Sequence, residues 1–471
     1  MATLERQTPL ERRAIGKGLR KQAPRASHAE WSPAPERPDP VALLEEQNAQ
    51  RIKELVPYRH QRMAESAFAF YRGSARIMAS DLATTPVSGI HTQICGDAHL
   101  ANFGFYGSAE RDLVFDINDF DETLPGPWEW DLKRLATSFA IASRHNGFKQ
   151  KDIRRAVEMS VRAYSGAMHL LADQPALRRW YAHVRSRDIA PHLAKGLRLN
   201  ASQRAKLDRN LAQFFAKTMA RDSRQALSKL ATLVDGEHRF ISDPPFIIPV
   251  ADLLPSFNSQ QIQEVLDSSF AEYRASLPDH MRHLLNRYRM LHTALKVVGV
   301  GSVGTRCFVV LFEGLDAQDP LILQVKEANR SVLEDYLPPS AYDHHGRRVV
   351  EGQRVMQATS DIFLGWSTST IVGQYYWRQL RDMKGSVETE TFGPLSMTGY
   401  AGMCGVTLAL AHARAGDAAA IAGYIGRGRQ FVDAIATFAD AYADQNERDF
   451  AAFTQAIHTG RIPCAEASVS R

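Results

Sequence analysis

Segment 95–102, which reads CGDAHLAN, combines residue types that could act on a phosphate group. Asp97 and Asn102 stand five residues apart, and Asp119-Phe120-Asp121 follows within the length of one hairpin. Phosphoryl transfer from a magnesium nucleotide uses an Asp to orient the attacking hydroxyl, an Asn to hold one metal ion, and a later Asp to bring metal to the phosphates. We therefore predict that Asp97 is catalytic and that Asn102, Asp119 and Asp121 are metal ligands.

Each of these residues alone has a simpler interpretation, since a loop Asp or Asn is usually a turn former or a helix cap. The ordered set favours a site, and within it two roles stay open. His99 is a second catalytic candidate, through hydrogen bonds that orient the loop. Asp121 either contacts a second metal ion or is an exposed acid.

A second set of residues lies about two hundred positions later, where segment 299–304 reads GVGSVG. The segment leads into an apolar, β-branched run, which predicts strand, glycine loop and strand, an arrangement that covers phosphates rather than a dinucleotide. We expect Gly299, Gly301 and Gly304 to let backbone N–H groups approach the phosphates. Lys326, at the end of the next strand, is expected to neutralise them.

A carboxylate is expected to hold Lys326 in place. Glu351 is the first candidate, because it lies in a helix predicted over 347–357. Glu334, in a shorter helix that ends at a proline, is the alternative.

The elements that position these residues follow from periodicity. Strands 102–106 and 112–118 form a predicted hairpin that places Asn102 opposite Asp119, about 4.5–5.5 Å apart, so that the two share Mg²⁺. Successive helices then follow, and a β-rich block comes after them. The predicted helices are 128–146, 149–172, 200–220, 259–293, 347–357, 396–415 and 428–457, and the predicted strands of the block are 294–300, 305–313, 321–327, 362–367 and 374–384.

The chain is too long for one ordinary core, so we predict an α+β protein with two lobes. The predicted units are a basic, Pro-rich and mostly extended N-terminal arm (1–40), a catalytic-loop and helical lobe (41–293), a β-rich nucleotide lobe (294–390), and C-terminal helices that pack on the helical lobe (391–471).

Composition excludes several classes of function. The 471 residues carry a formal net charge of +5, which suits an acidic small ligand, and Arg and Lys are scattered rather than gathered into a nucleic-acid-binding tract. The four cysteines have no zinc spacing, and we see neither a signal peptide nor an apolar run of membrane-spanning length. We expect a cytoplasmic protein that binds neither nucleic acid nor membrane.

The two sets of motifs resemble the protein-kinase-like superfamily, in particular the aminoglycoside and choline kinases. Segment 96–102 is similar to their G-D-x-H-x-x-N loop, segment 119–121 to their aspartate motif, and Asp131 to the Asp that braces the loop. In kinases the glycine loop and Lys precede the catalytic loop, whereas here they follow it. The resemblance therefore implies a circularly permuted kinase-like fold that uses ATP and Mg²⁺.

Nearly the whole chain also resembles an uncharacterised bacterial family, the domain of unknown function 2252. The landmarks of this resemblance are 67–73, 95–100, 118–123, 125–131 and 360–366. The family implies no established reaction, so the expectation of function depends on the motifs.

We expect an ATP- and Mg²⁺-dependent phosphotransferase whose partners are a nucleotide and a small-molecule hydroxyl acceptor. Three alternatives stay open: transfer of AMP on the same scaffold, a nucleotide-binding module without catalysis, and a metallohydrolase built on Asp97, His99, Asp116 and Asp119. Arg72 is expected to brace a neighbouring carboxylate rather than to bind phosphate.

Overall fold

A computed structural model of the protein describes residues 7–253, 258–369, 373–380 and 383–466. The first six residues of the predicted arm, the last five of the predicted C-terminal unit, positions 381–382 of the predicted strand 374–384, and segments 254–257 and 370–372 lie outside the described residues.

The described chain is a mixed α+β structure, as the sequence predicts. Its helices are α1 (Pro9–Leu19), α2 (Pro40–Asn48), α3 (Val56–Ala64), α4 (Ala67–Gly73), α5 (Ala75–Leu82), α6 (Trp128–His145), α7 (Gln150–Ala172), α8 (Ala176–Trp180), α9 (Ser186–Gly196), α10 (Ala201–Met219), α11 (Ser223–Leu230), α12 (Val250–Leu253), α13 (Ser259–Ser276), α14 (Asp279–Leu285), α15 (His345–Met356), α16 (Pro394–Ala415), α17 (Ala418–Ile425) and α18 (Gln430–His458). In the described residues, no helix combines the length and the apolar character that crossing a bilayer requires.

Thirteen strands form four sheets in the described residues. They are β1 (His91–Ile94), β2 (Phe103–Gly107), β3 (Leu113–Ile117), β4 (Leu124–Pro127), β5 (Val184–Arg185), β6 (Ala231–Val234), β7 (Glu237–Phe240), β8 (Ile247–Pro249), β9 (Arg289–Lys296), β10 (Cys307–Glu313), β11 (Pro320–Glu327), β12 (Gly365–Ser369) and β13 (Gly373–Gln379). The largest sheet is antiparallel, in the order β12-β13-β11-β10-β9-β8, and the small sheets are β1-β4, β2-β3-β5 and β6-β7.

The largest sheet is covered by helices on both faces. Alternate residues of β10 point to opposite faces: Val309 packs with the apolar side chains of α11, and Val310 packs with those of α13. Lys326 lies on the same face of the sheet as Val309, because it pairs with Cys307, two residues away on β10. The sheet starts earlier than predicted, since it takes in β8 and the first half of β9, and part of the predicted helix 259–293 is therefore strand.

The helical core is built around α6, which is buried from Trp128 to Ser143. Helix α6 packs with α7 and α18, and α16 packs along α7. Tyr164 of α7 stacks on Trp128 at 5.6 Å between ring centres. This core holds the first residues of α6 next to the loop that carries Asp97.

The N-terminal arm differs from the predicted extended segment. Residues 9–19 form α1, which starts with a capping box: Thr8 accepts the Glu11 N–H, and the Glu11 carboxylate accepts the Thr8 N–H. Helix α1 packs against α17, where Gly16 lies directly against the backbone of Ala420. The prediction of a mostly extended arm was therefore wrong. It was based on the Pro-rich residues of the arm and did not take the capping box at Thr8 into account.

Candidate functional site

The hairpin β2–β3 brings Asn102 next to segment 119–121, with a register one residue away from the predicted one. Phe103 pairs with Ile117, and the Asn118 N–H donates to the Asn102 carbonyl at 2.8 Å. Asn102 therefore opposes Asn118 rather than Asp119. Because Asp119 is the next residue, it still leaves the hairpin at the position where Asn102 enters it.

Asp131 holds the loop that precedes this hairpin. Its carboxylate accepts the Cys95 N–H at 2.8 Å and the Gly96 N–H at 2.9 Å, and it lies 3.1 Å from Nε2 of His412. Asp131 is buried in the first turn of α6, where the helix dipole favours a negative charge. The loop brace that the resemblance implies for this residue is therefore present as a set of hydrogen bonds.

Asp97 points into the site from the braced loop and is bound by Arg134 of α6. Nε of Arg134 donates to Oδ1 of Asp97 at 2.5 Å, and the same guanidinium lies over the Tyr71 ring. Burial raises the pKa of Asp97, and Arg134 opposes this effect. Sequence reasoning missed Arg134, although it follows Asp131 by three positions and so shares a face of the helix with it.

His99 does not bind Asp97 as an orienting hydrogen-bond partner would. Its Nε2 lies 3.7 Å from Oδ2 of Asp97, which is too long for a hydrogen bond, and its buried Nδ1 has no partner. Burial lowers the pKa of His99 well below its usual value, and the charges of Arg134 and Arg72 lower it further. His99 is therefore a neutral, buried ring near Asp97, and the expectation that its hydrogen bonds orient the loop is wrong.

Lys326 reaches segment 119–121 from β11. Its Nζ lies 2.6 Å from Oδ2 of Asp121 and 3.7 Å from Oδ2 of Asp119, and the Tyr376 hydroxyl donates to Oδ1 of Asp121 at 2.6 Å. The sequence predicts this proximity of Lys326 to Asp119, and the distance confirms it. We call Asp119, Asp121, Lys326 and Tyr376 the acid–lysine cluster.

In the acid–lysine cluster, the lysine offsets the negative charges of the two aspartates. Burial opposes the ionised form of every member, but Lys326 and Tyr376 together lower the pKa of Asp121. Burial and the neighbouring Asp121 raise the pKa of Asp119. The two carboxylates raise the pKa of Lys326 despite its burial, so the lysine is held as an ammonium ion.

Neither predicted glutamate holds Lys326. Glu351 accepts a hydrogen bond from Arg354 at 3.1 Å, one turn along the same helix. Glu334 accepts the Ser331 N–H at 3.2 Å and caps a short turn. The prediction of Glu351 and its alternative Glu334 are corrected here: the carboxylate that binds Lys326 comes from the aspartate motif.

Helix α15 contributes an arginine instead of a glutamate. The Arg348 guanidinium donates to the carbonyls of Thr123 at 2.7 Å, Asp121 at 2.8 Å and Asn329 at 2.9 Å. These bonds tie the aspartate motif to the segment that follows β11. Sequence reasoning missed Arg348, and its apolar neighbours Val349 and Val350 were the signal that this part of the helix is buried.

The glycine loop (299–304) is held by residues from the start of the chain. The Arg62 guanidinium donates to the Gly299 carbonyl, the Arg51 guanidinium to the Val303 carbonyl at 2.6 Å, and the Ile52 N–H to the Gly304 carbonyl at 2.8 Å. Gly299 and Gly304 have φ values of +68° and +87°, which only glycine adopts without strain. The loop is therefore shaped by its glycines and fixed by helix α3 and the segment before it.

Residues of both sets of motifs line one cleft of about 370 Å³. Asp97, His99, Asn102, Asp119, Asp121, Gly299 and Gly301 all belong to its wall. Gly304 packs behind the loop against the Arg51 side chain, and Glu351 is not part of the wall. The structure thus gathers seven of the ten predicted site residues in the wall, with Lys326 bonded to one of them.

The donor set of this cleft suits magnesium better than zinc. The Asn102 amide nitrogen donates to the Asp97 carbonyl at 2.8 Å, which leaves its amide oxygen as the atom that could face a metal ion. Within the described ranges, no three His, Cys, Asp or Glu side chains converge as a metal-binding group. Mg²⁺ commonly takes only one or two protein carboxylates and completes its shell with water and phosphate oxygens, so Asn102, Asp119 and Asp121 fit it.

Comparison with known proteins places most of the chain in one family. Residues 51–456 match the model described as an uncharacterised protein conserved in bacteria, DUF2252. Neither the curated proteins nor the solved structures gave a match.

Proposed function

Since this chain belongs to the DUF2252 family, whose description names no reaction, its function has to be argued from the cleft, and we propose an ATP- and Mg²⁺-dependent phosphotransferase. The acceptor in this proposal is a hydroxyl group of a small molecule. The fold in this proposal is a circularly permuted kinase-like arrangement, in which the nucleotide lobe follows the catalytic loop.

One observation carries the proposal: Asp97, the two aspartates of the acid–lysine cluster and the glycine loop line the same cleft, and Lys326 binds Asp121. A lysine, a pair of metal-binding carboxylates and a backbone cradle are the groups that bind a magnesium triphosphate. They come from distant parts of the sequence, 205 positions apart for Lys326 and Asp121. If the pair of Lys326 and Asp121 were only structural, there would be no reason for a glycine loop to lie in the wall of the same cleft.

The residues of the cleft have separate roles in the proposed reaction. The acceptor oxygen forms a bond to the terminal phosphorus, the bond from that phosphorus to the bridging oxygen breaks, and ADP leaves. Oδ1 of Asp97 is occupied by Arg134, so Oδ2 is the oxygen that orients the acceptor hydroxyl and accepts its proton. Mg²⁺, when bound, neutralises charge on the phosphates, and Asn102, Asp119 and Asp121 are the residues that would hold it.

Lys326 changes partner in this proposal. Without nucleotide its ammonium group binds Asp121. If a magnesium nucleotide bound, Lys326 would pair with its phosphates and the aspartates would hold the metal ion, so each of these side chains would keep an opposite charge nearby. Before a ligand binds, Lys326 therefore compensates the negative charge of the aspartates in this buried site.

Thermal unfolding with ligand tests nucleotide binding. Magnesium ATP at about 100 times its dissociation constant should raise the free energy of unfolding by about 2.7 kcal/mol. We expect Lys326→Met and Asp119→Asn to lose this stabilisation. Glu351→Gln is the matched control and should keep it, because Glu351 pairs with Arg354 outside the cleft wall. A parent protein that gains no stability from millimolar ATP and Mg²⁺ would sink every nucleotide-based function.

A second assay separates phosphate transfer from its alternatives. The protein is incubated with ATP labelled either in the γ-phosphate or in the adenine, and with a panel of sugars, amino alcohols and nucleosides. We expect only the γ-label to move to an acceptor. Movement of the adenine label would instead identify AMP transfer, and binding of ATP with no movement of either label would identify a binding module.

A further inference from the structure

Arg72 is an arginine of the cleft wall whose charge is offset only at a distance, by Glu390, Asp97 and Glu65. Its guanidinium makes no hydrogen bond or ion pair with any residue that the structure describes, and its Nε is buried without a partner. Burial lowers the pKa of Arg72. Contrary to the expectation, no carboxylate of the described residues is braced by Arg72 through a direct contact.

The other arginines of the cleft wall all have partners. Arg59 binds Asn48, Gln47 and the Gly73 carbonyl, Arg51 binds the Val303 carbonyl, Arg76 binds Glu46, and Arg330 binds Asp335. Burying part of an unpaired guanidinium lowers the free energy of unfolding, and no described direct contact of Arg72 offsets that loss. Such a cost is understandable if an anion completes the site.

The position of Arg72 indicates which anion. Its backbone carbonyl lies so close to the glycine loop that a Cβ on Gly301 would sit 3.2 Å from it. Its charge also acts on Asp97 and His99, from the catalytic loop. Arg72 therefore stands between the loop that covers the phosphates and the Asp that orients the acceptor.

We propose that Arg72 binds the terminal phosphate of the nucleotide, the group that the protein transfers. This inference depends on the proposed phosphotransferase function. A guanidinium presents a planar fork of N–H donors that matches two phosphate oxygens, which an ammonium group cannot do. Lys326 is already paired with Asp121 and Asp119, so among the described cations of this cleft Arg72 is the one that has no direct partner to release.

The inference predicts a difference between nucleotides with and without a terminal phosphate. Affinities are measured by calorimetry for magnesium ADP and for the magnesium β,γ-imido analogue of ATP, which is not hydrolysed. We expect Arg72→Met to weaken binding of the triphosphate analogue by about tenfold or more, and to change ADP binding by less than about twofold. Arg72→Lys keeps the charge without the fork and should fall between the parent and Arg72→Met.

Arg76→Met is the matched control. It removes an arginine from the next helix and from the same cleft wall, but one that is paired with Glu46 at 2.7 Å. We expect it to change both affinities by the same small factor.

Each outcome decides the inference. Equal losses for both nucleotides in Arg72→Met would overturn it, and so would an unchanged triphosphate affinity, which would leave Arg72 to an anionic group of the acceptor. Unfolding without ligand checks the folding of the variant: Arg72→Met should be at least as stable as the parent, since it removes an unpaired charge. A loss of stability there would mean that Arg72 is a structural residue. A parent that binds neither nucleotide would contradict the proposed function itself, which is a different result.

Discussion

The ammonium nitrogen of Lys326 lies 2.6 Å from Oδ2 of Asp121, and the Tyr376 hydroxyl binds the other oxygen of the same carboxylate. The lysine comes from the centre of a sheet, and the aspartate from a loop that leaves a separate hairpin. This one carboxylate therefore joins the largest sheet to the hairpin that carries the predicted metal ligands.

Replacing Lys326 with methionine should destabilise the protein in a pH-dependent way. Asp119 and Asp121 would then face each other with only Arg378 to offset their charges, and burial and mutual repulsion should raise their pKa values above those of the unfolded chain. The variant would bind protons more tightly when folded, so its stability would fall as the pH rises from 5 to 8. At pH 8 we expect a loss of roughly 1–3 kcal/mol, a buried-pair penalty reduced because the carboxylates are about 30% exposed.

Urea unfolding at pH 5 and pH 8 measures this effect. Lys151→Met, on an exposed position of α7, is the control and should leave stability unchanged at both values. If Lys326→Met is as stable as the parent at pH 8, the lysine does not compensate the aspartates. Mg²⁺ without nucleotide should stabilise Lys326→Met more than the parent, because the aspartates are no longer occupied.

Two glycines of α1 test the docking of the N-terminal arm. A Cβ on Gly16 would lie 1.9 Å from the Ala420 carbonyl oxygen, so Gly16→Ala should force α1 away from α17 and cost about 2 kcal/mol. Gly18 has no atom within 4 Å of its Cβ position, so Gly18→Ala should instead stabilise the helix by about 0.5–1 kcal/mol. Urea unfolding gives both values, and changes of the same sign would contradict the packing of α1 on α17.

His28 should make the stability of the arm sensitive to acid. Burial lowers the pKa of His28 to about 3, and the charge of Lys133 adds to the effect. In the unfolded chain His titrates near 6.5. Between these values the unfolded state binds more protons than the folded state, so the contribution of His28 is complete above pH 6.5 and is lost as the pH falls, by about 1.4 kcal/mol per pH unit.

Unfolding of the parent and of His28→Phe at pH 7, 6 and 5 isolates this contribution. The phenyl ring keeps the edge contacts with Tyr424 and Phe431, and the Tyr424 hydroxyl still donates to the Ala23 carbonyl. We expect a flatter pH dependence in the variant. Parallel curves for the two proteins would show that His28 takes up its proton without opening the arm.

Asp131→Asn should loosen the loop that carries Asp97. Two backbone N–H groups, from Cys95 and Gly96, donate to the two oxygens of this buried carboxylate, and an amide offers only one oxygen. We expect the free energy of unfolding to fall by about 2 kcal/mol. Asp208→Asn, on an exposed position of α10, should change it by less than about 0.5 kcal/mol, and a similar value for Asp131→Asn would refute the brace.

The parts of the site that the sequence predicts are those decided by local pattern. The glycine loop, the strand after it and Lys326 belong to neighbouring elements, and the strand period of two fixes which face of the sheet the lysine occupies. The predicted register of the hairpin between Asn102 and Asp119 is wrong by one residue. The register depends on the conformation of the turn and not only on the number of residues in it.

The errors concern contacts that depend on packing between distant elements. Glu351 and Arg348 are three positions apart on α15, so they point about 60° away from each other around the helix axis. Only the packing of α15 against the sheet decides which of them faces the site. Arg72 is a similar case, because its lack of a partner is a property of the assembled cleft.

The hydrogen bonds that hold the glycine loop have a consequence for how a ligand enters the cleft. Three carbonyls of the loop are bound by Arg51, Ile52 and Arg62, so the loop cannot lift alone without breaking those bonds. Opening therefore has to carry the whole segment from residue 51 to α3, as a rigid-body displacement rather than a local fluctuation. A ligand whose entry required this loop to open would therefore exchange at the slower pace of collective motion, and substitutions in α3 would affect that rate.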